Sequence, residues 1–245
     1  MWRIPLTARD AERAALAALL TADERERAAR FYLGRDRDRW TVARGALRAI
    51  LARYANAAPQ ALAFGSGPHG KPSLAEPAND LRFNLAHSDA LAICAVARGI
   101  EVGVDVEAIR PDAATEDVAR RFFAPAEVVA LAALPPALRT EAFFACWTRK
   151  EAYLKARGMG LTLGLDRFEV SLAPGVPAAL VATHDDPVAA ARWFLVSLDP
   201  GPGYAGALAM EGRAEVSYRQ WSSFTSEDSV FGPRTRVRPH RPGAA

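Results

Sequence analysis

Cysteine is scarce in this chain, with only Cys94 and Cys146 among its 245 residues. Two thiols are too few for a disulfide framework, and no spacing of Cys and His fits a zinc site. Long apolar runs are also missing: none approaches the roughly 20 residues that a membrane-spanning helix needs, and no charged-then-apolar leader follows Met1. These absences predict a soluble, cytoplasmic protein without a membrane segment.

Excess charge is small as well, at a formal +3 for the whole chain. Four arginines near the end of the chain supply that excess: Arg234, Arg236, Arg238 and Arg241. The rest of the chain therefore has no basic bias, which argues against nucleic acid as a partner. From Ser222 onward, apolar periodicity gives way to Ser, Pro, Gly and Arg, so residues 222–245 are predicted to form a disordered basic tail.

Apolar content is plentiful: 50% of the residues are hydrophobic, enough to bury one large core or two smaller ones. Helical patterns dominate to about residue 54 and again from about 115 to 157, and strand patterns follow each block. Helical blocks that alternate with antiparallel-looking strands predict an α+β fold. No period in the sequence indicates an internal repeat.

An acidic strand is predicted at residues 100–107, where valines alternate with polar residues or glycine. Asp105 and Glu107 then share one face, about 7 Å apart at about 3.3 Å of rise per residue. Gly103 lies on the same face, where a ligand or another backbone could approach closely. Two such carboxylates suit Mg²⁺, which proteins hold with one or two carboxylates plus substrate phosphates. The alternative is the solvated outer face of an edge strand.

A second cluster lies on a helix predicted over about residues 136–157, which begins after a proline pair and ends at Gly158. Glu151 and Lys155 are four residues apart and share one helix face, with Trp147 one turn before them. The alternative for this cluster is an ordinary Glu–Lys pair on the helix surface.

A third segment, residues 65–72, imitates a phosphate-binding P-loop. Pro72 stands where a P-loop has Ser or Thr, and it offers neither a hydroxyl nor an N–H. The P-loop interpretation therefore fails, and a glycine-rich turn that presents Lys71 remains. A predicted strand follows, with a polar kink at His87 and Ser88.

Four segments in this order resemble the 4′-phosphopantetheinyl transferase superfamily, in its longer surfactin-synthetase-activating (Sfp-type) branch. They are residues 70–72, 83–88, 103–107 and 147–151 with Lys155. The resemblance extends from about residue 25 to about residue 168. One position departs from the family pattern: Ala86 stands where a serine usually precedes the histidine, which removes one hydroxyl contact to a phosphate.

The resemblance implies transfer of the 4′-phosphopantetheine arm of coenzyme A to a serine of an apo acyl or peptidyl carrier protein, with release of adenosine 3′,5′-bisphosphate. It also implies two similar subdomains related by a pseudo-twofold axis, each an antiparallel sheet packed with helices, with the ligand in the cleft between them. On this basis the halves are predicted at residues 1–103 and 104–221. The protein is expected to be a monomer that serves fatty acid, polyketide or nonribosomal peptide biosynthesis.

The same resemblance implies roles for the site residues. Asp105, Glu107 and Glu151 are expected to hold Mg²⁺ against the diphosphate, and Lys155 to stabilise or protonate the leaving phosphate. Glu151, directly or through a water, is the candidate base for the serine hydroxyl, and Glu127 is a second candidate.

Coenzyme A contacts are implied on the N-terminal side. His87 is expected at a phosphate, Lys71 and Pro72 beside the adenine nucleotide, and Arg27 at the 3′-phosphate. Two further arginines, Arg44 and Arg48, either join that contact or form a solvated basic helix face.

Two alternative functions use the same residues. A metal-dependent phosphohydrolase would place the three carboxylates on a nucleotide or diphosphate without any carrier protein. A non-catalytic nucleotide-binding protein would keep the fold alone, although binding alone would not need both Glu151 and Lys155.

Overall fold

The computed structural model describes residues 1–77, 80–184, 186–222 and 235–237, with Leu161 and residues 235–237 described by backbone alone. The helices are α1 (Asp10–Ala17), α2 (Ala22–Ala29), α3 (Gly34–Ala55), α4 (Glu116–Phe122), α5 (Pro125–Ala133), α6 (Pro136–Arg157) and α7 (Ala189–Arg192). The strands are β1 (Trp2–Pro5), β2 (Ala63–Ser66), β3 (Pro72–Glu76), β4 (Leu81–Ser88), β5 (Leu91–Arg98), β6 (Val102–Ala108), β7 (Phe168–Val170), β8 (Leu180–Thr183), β9 (Trp193–Leu198), β10 (Tyr204–Glu211), β11 (Val216–Gln220) and β12 (Thr235–Val237).

These strands form two main sheets and two small hairpins. One sheet has the order β12-β11-β1-β5-β4 and the other β6-β10-β9, while β2 pairs with β3 and β7 with β8. Strand β11 runs parallel to β1, and the other pairings are antiparallel. The predicted α+β fold is confirmed.

The order of elements repeats along the chain. Each half runs strand, two short helices, a 22-residue helix, a hairpin and two strands, from β1 to β5 and again from β6 to β10. In each half the last strand lies between the first strand and the fourth. The sequence does not show this repeat. The second copy of the element order begins at β6, after β5 ends, whereas the predicted division at 103/104 falls inside β6. The pseudo-twofold axis stays a prediction.

The core divides into three clusters that define the layers. Helix α3 packs on one face of the β1-β5-β4 sheet, and α6 packs on one face of the β6-β10-β9 sheet. The remaining faces meet in a third cluster, where Ile93 of β5 and the β6 valines Val102, Val104 and Val106 are buried together. Both faces of β6 are therefore covered.

The predicted basic tail lies mostly outside the described residues. Its backbone at Thr235–Val237 forms β12 and pairs with β11, as in the register Val216 to Val237. This short strand departs from the prediction of disorder from Ser222 onward. In the described part of the chain, no helix combines the length and the apolar character that crossing a bilayer requires.

Candidate active site

Helix α6 lies directly on β6, and Gly103 permits this contact. A Cβ atom built on Gly103 would lie 2.2 Å from the carbonyl oxygen of Ala152 and 2.2 Å from the nitrogen of Ala156. The close approach expected at Gly103 is therefore that of another backbone. Because α6 covers this face, Asp105 is only 3% exposed. The alternative of a solvated strand edge is wrong for Asp105.

Lys155 of α6 reaches across to β6. Its Nζ atom donates to Oδ1 of Asp105 at 2.5 Å. Glu151 lies one helical turn earlier on the same helix. The long predicted helix thus places both residues over the acidic strand. Lys155 pairs with a residue of another element, which an ordinary Glu–Lys pair on the surface of α6 would not do.

The three carboxylates influence one another. Burial raises the pKa of Asp105 to about 7, against the opposing charge and hydrogen bond of Lys155, and Glu107 and Glu151 raise it further. Burial also raises the pKa of Glu151, Lys155 lowers it, and Glu107 raises it. Three acids within electrostatic reach of one another repel, and a bound cation would relieve that repulsion.

The second oxygen of Asp105, Oδ2, is buried and has no hydrogen-bond partner among the residues that the structure describes. An unpaired buried carboxylate oxygen is costly, and a cation would satisfy it. Across residues 1–77, 80–184 and 186–222, however, no three such side chains already stand together as metal ligands. Carboxylate oxygens are the donors that Mg²⁺ prefers, but the described side chains do not stand in a coordinating arrangement.

Strand β4 completes this region from the N-terminal half. The Ser88 hydroxyl donates to Oε2 of Glu107 at 2.8 Å and accepts from the nitrogen of Ala108 at 3.0 Å. Asn84 Oδ1 accepts from the nitrogen of Val104 at 2.8 Å. Sequence reasoning missed these contacts. The available signal was the spacing of Asn84 and Ser88, because side chains four residues apart on a strand point to the same side.

His87 belongs to the same surroundings. Partial desolvation lowers the pKa of its imidazole, Lys155 lowers it further, and Glu107 raises it. The structure thus brings His87 within electrostatic reach of the lysine and carboxylates of the C-terminal half. The four predicted residues Asp105, Glu107, Glu151 and Lys155 and the predicted His87 form one region between the halves.

Lys71 is tied to both halves. Its Nζ donates to Oε2 of Glu101 at 2.6 Å and to the carbonyl oxygen of Ala156 at 2.7 Å, one residue beyond Lys155. Pro72, exposed, begins β3 beside it. The glycine-rich turn therefore presents its lysine at the carboxyl end of α6.

The three arginines of the predicted nucleotide contact differ in exposure. Arg27 is exposed on α2, with Cζ 5.8 Å from the centre of the Trp40 ring. Arg44 pairs with Glu24 through Nε at 2.5 Å and keeps a fifth of its side chain exposed. Arg48 is buried and bonds Glu24 and two backbone carbonyls. The alternative of a solvated helix face is therefore wrong for Arg48, whose contacts are structural, and its contact with the 3′-phosphate stays a prediction.

Glu127 does not share the site. It is 3% exposed, and its oxygens accept from Lys150 Nζ at 2.7 Å, the nitrogen of Ala124 at 2.8 Å and the nitrogen of Val170 at 2.7 Å. Lys150 is itself completely buried. These contacts join α5, α6 and β7, so the second candidate for the base is a packing residue.

Comparison with known proteins assigns the chain. A family model described as the 4′-phosphopantetheinyl transferase superfamily matches residues 101–209, and one described as its N-terminal part matches residues 7–98. The chain is 40% identical over 214 residues to the 4′-phosphopantetheinyl transferase HetI of Nostoc sp., an alignment covering 86% of this chain and 87% of the relative. It belongs to the 4′-phosphopantetheinyl transferase superfamily.

Other 4′-phosphopantetheinyl transferases agree. One from Bacillus subtilis is 36% identical over 169 residues, covering 69% of this chain and 72% of the relative. The transferase Sfp of Bacillus subtilis strain 168 is 30% identical over 168 residues, with the same coverage, which supports the Sfp-type branch. The chain is thus an enzyme that transfers phosphopantetheine to carrier proteins. The two family models meet where the element order of this 4′-phosphopantetheinyl transferase begins to repeat.

Proposed function

We propose that this enzyme uses Mg²⁺ and coenzyme A to place 4′-phosphopantetheine on a serine of an apo carrier protein, with release of adenosine 3′,5′-bisphosphate. One observation carries the proposal. Asp105 is buried within electrostatic reach of two further carboxylates, with one oxygen held by Lys155 and the other without a hydrogen bond among the described residues. Such a carboxylate is suited to a hard cation.

The ligands of the ion would be Asp105, Glu107 and Glu151. When bound, Mg²⁺ would neutralise charge on the diphosphate and orient the phosphorus for attack. Ser88 supports this assignment, because its hydrogen bond fixes one oxygen of Glu107 and leaves the other for the ion. Phosphoryl transfers of this kind depend mainly on positioning and electrostatic stabilisation.

Proton movement is assigned to the face of α6 that lies over β6. Lys155 is about a third exposed and carries the cation that would stabilise the leaving phosphate oxygen. Glu151 is the candidate base for the serine hydroxyl, and burial raises the pKa of its carboxyl, which makes it a better proton acceptor near neutral pH. The burial of Glu127 in the core supports Glu151 over Glu127 as the base.

Coenzyme A would lie along the N-terminal half. His87 would contact a phosphate, Lys71 and Pro72 would flank the adenine nucleotide, and Arg27 would meet the 3′-phosphate. The exposure of Arg27 and the approach of Lys71 to the end of α6 support this path. Arg44 is partly exposed. Burial lowers its pKa and the charge of Arg27 adds to that lowering, so both cations would act on the same phosphate.

One assay tests the proposal. The enzyme is incubated with coenzyme A, Mg²⁺ and a panel of apo carrier proteins, and each carrier is weighed by mass spectrometry. We expect a gain of about 340 Da, the mass of one phosphopantetheine, that disappears when a chelator removes the metal. Asp105→Asn should abolish the gain, whereas Asp117→Asn, which changes an exposed carboxylate of α4, should leave it unchanged. Full transfer by Asp105→Asn would remove that residue from the site.

The same assay separates the alternatives. A phosphohydrolase would consume coenzyme A without any carrier, and a non-catalytic protein would bind it without turnover. Membership of a transferase family favours the proposed reaction over both. Binding of coenzyme A without mass gain on any carrier would contradict it. The monomeric state and the cytoplasmic location stay predictions, and a sedimentation experiment addresses the first.

A further inference from the structure

A cavity of about 790 Å³ lies between α6, β9 and the segment over residues 172–180. None of the residues assigned above to the metal, to coenzyme A or to proton transfer lines it. Its walls are mostly apolar, and the larger side chains include Leu172, Leu180, Trp193, Leu195, Val196 and Met210. The volume lies within the range of about 300–1,000 Å³ that small-molecule sites occupy.

One wall of the cavity carries a buried charge. Arg149 is only 6% exposed. Its Nη1 donates to the carbonyl and hydroxyl oxygens of Ser171, and its Nη2 donates to the hydroxyl of Ser197 at 2.9 Å. No acidic side chain of the described residues pairs with it. A guanidinium stays protonated in proteins, so this is a desolvated cation without a counter-ion, an arrangement that costs free energy.

The hydrogen bonds of Arg149 leave one edge of the guanidinium available. Three of its five N–H groups serve Ser171 and Ser197, and the Nε–H and one Nη2–H have no bond within the described part of the chain. Nε and Nη2 lie on the same edge of a guanidinium, and that edge is the one that can bind both oxygens of a carboxylate.

The remaining charges around the cavity favour an anion. Arg213 also lines it, with Cζ 4.5 Å from the centre of the Phe194 ring. Among the described lining residues, Glu141 is the one carboxylate, and it is exposed to solvent. Two guanidinium groups and apolar walls together match a ligand with one negative group and an apolar body.

We propose that this cavity binds an amphipathic carboxylate of the fatty acid class, with its carboxylate on Arg149 and its alkyl chain against the apolar walls. Arg149 lies inside the Trp147–Glu151 segment that the sequence singled out, yet the transfer reaction gives it no task. The residues on either side of Arg149 have other roles. Lys150 pairs with Glu127 in the core, and Glu151 lies within electrostatic reach of Glu107 on β6. The site is separate from the proposed transfer chemistry.

The test is direct binding to the full chain and needs no turnover. Dodecanoate is titrated by calorimetry below its micellar concentration, with uncharged dodecanol as the matched ligand. A 12-bromo derivative serves as a second probe, because bromine quenches nearby indole fluorescence and Trp193 lines the cavity. The chain has five tryptophans, so Trp193→Phe isolates the contribution of this one.

We expect one dodecanoate per chain, dodecanol at least about tenfold weaker, and a similar loss for Arg149→Met, since a hydrogen bond to a charged group is worth at least that ratio. The matched control, Arg120→Met, removes an exposed arginine of α4 and should bind as the parent does. The bromo probe should quench the parent and leave Trp193→Phe largely unquenched.

Three outcomes would overturn the proposal: no saturable binding, equal affinity for dodecanol, or equal affinity of Arg149→Met and Arg120→Met. If Arg149→Met fails to fold, Ala145→Leu replaces it, because position 145 lines the cavity on α6 and a larger side chain there reduces its volume. Unchanged binding by Ala145→Leu together with unchanged quenching by Trp193→Phe would place the ligand elsewhere.

Discussion

Glu24 links two helices through arginines. It lies on α2 with 5% of its surface exposed, and it accepts from Arg44 Nε at 2.5 Å and Arg48 Nε at 2.6 Å on α3. Burial alone would raise the pKa of Glu24, but hydrogen bonds from Arg48 and from the nitrogen of Thr21, with the charge of Arg44, outweigh it and hold that pKa below its ordinary value. The carboxylate is therefore part of the fold at neutral pH.

Replacing Glu24 with glutamine should lower the free energy of unfolding by about 3 kcal/mol at pH 7, because Arg48 is left buried without its counter-ion. A depressed pKa in the folded state contributes stability above the unfolded value of about 4.3 and loses it as the pH falls through the folded value. The difference between variant and parent should therefore shrink below about pH 4. Urea unfolding at several pH values measures it.

The control for this prediction is Glu26→Gln, two residues along α2. Glu26 pairs with Arg30 on the surface, with most of both side chains exposed, so the loss should stay below about 1 kcal/mol. Equal losses for the two variants would contradict a buried role for Glu24.

Ser88 and Asn84 provide a matched pair for separating positioning from stability. Each accepts from a backbone N–H of β6, but only Ser88 also donates to Glu107. Alanine at either position should cost about 1–3 kcal/mol of unfolding free energy, since a buried N–H loses its acceptor. Ser88→Ala should in addition lower the rate of transfer by about tenfold, as expected when one hydrogen bond to a charged group is lost.

Measured rates on folded protein decide this prediction. Parallel losses of transfer in Ser88→Ala and Asn84→Ala would show that both act through stability alone. A further check is the concentration of Mg²⁺ that gives half-maximal rate, which should rise for Ser88→Ala and stay unchanged for Asn84→Ala.

At the scale of single residues, sequence patterns placed Asp105 and Glu107 on one strand face and Glu151 and Lys155 on one helix face. Periods of two and 3.6 residues are local properties, so they can be obtained without the fold. The pairing of Lys155 with Asp105, fifty positions apart, cannot be obtained in that way. The burial of Arg48 likewise depends on Glu24, which belongs to a different helix.

At the scale of elements, the packing of α6 on β6 depends on one glycine. Gly103→Ala would put a Cβ atom 2.2 Å from backbone atoms of Ala152 and Ala156, and neither strand nor helix backbone can yield without moving the whole element. We expect a loss of about 3 kcal/mol of unfolding free energy, the upper range for overpacking. Transfer should fall further than stability explains, because the shift separates Lys155 from Asp105.

The comparison variant is Gly34→Ala at the start of α3, where the nearest atom to a new Cβ is the flexible Arg37 Nη2 at 3.6 Å. That substitution should be neutral or slightly stabilising, since alanine is the better helix former. Urea unfolding and the carrier mass assay are applied to both. A neutral Gly103→Ala would refute the close packing of α6 on β6.

The ends of α6 were predictable because proline and glycine mark them locally. Pro136 begins the helix, and Gly158 ends it in the left-handed conformation with φ of 63°, a conformation that other residues adopt only at a cost. The coverage of β6 on both faces was not predictable. Its valines indicated one buried face, and nothing in the strand itself reveals that a helix fifty residues later covers the other.

At the scale of the whole molecule, the C-terminal segment closes on the N-terminal half. Strand β11 pairs with β1, the Met1 ammonium donates to the carbonyl of Ser217 at 2.7 Å, and Trp221 packs edge-on to Trp2 at 6.4 Å between ring centres. These contacts join the segment after β10 to the first sheet, so they link the two halves independently of the β4–β6 contacts.

Shortening the chain tests that link. Removing residues 214–245 should lower the free energy of unfolding by about 4 kcal/mol more than removing residues 223–245, because it deletes β11 and the buried Trp221. Calorimetry and urea unfolding of both shortened chains measure the difference. Equal stability of the two would show that β11 contributes little to the N-terminal sheet.

The sequence by itself determined the α+β class, the bounds of the long helix α6, the two clusters of acidic and basic residues and their resemblance to the transferase family. Each of these depends on local periodicity, on local turn chemistry or on the order of short motifs. The repeated element order, the contact of β4 with β6, the burial of Asp105 and the cavity at Arg149 were decided only by the tertiary structure. They depend on which elements become neighbours, and that is set by long-range packing of apolar faces that many positions share.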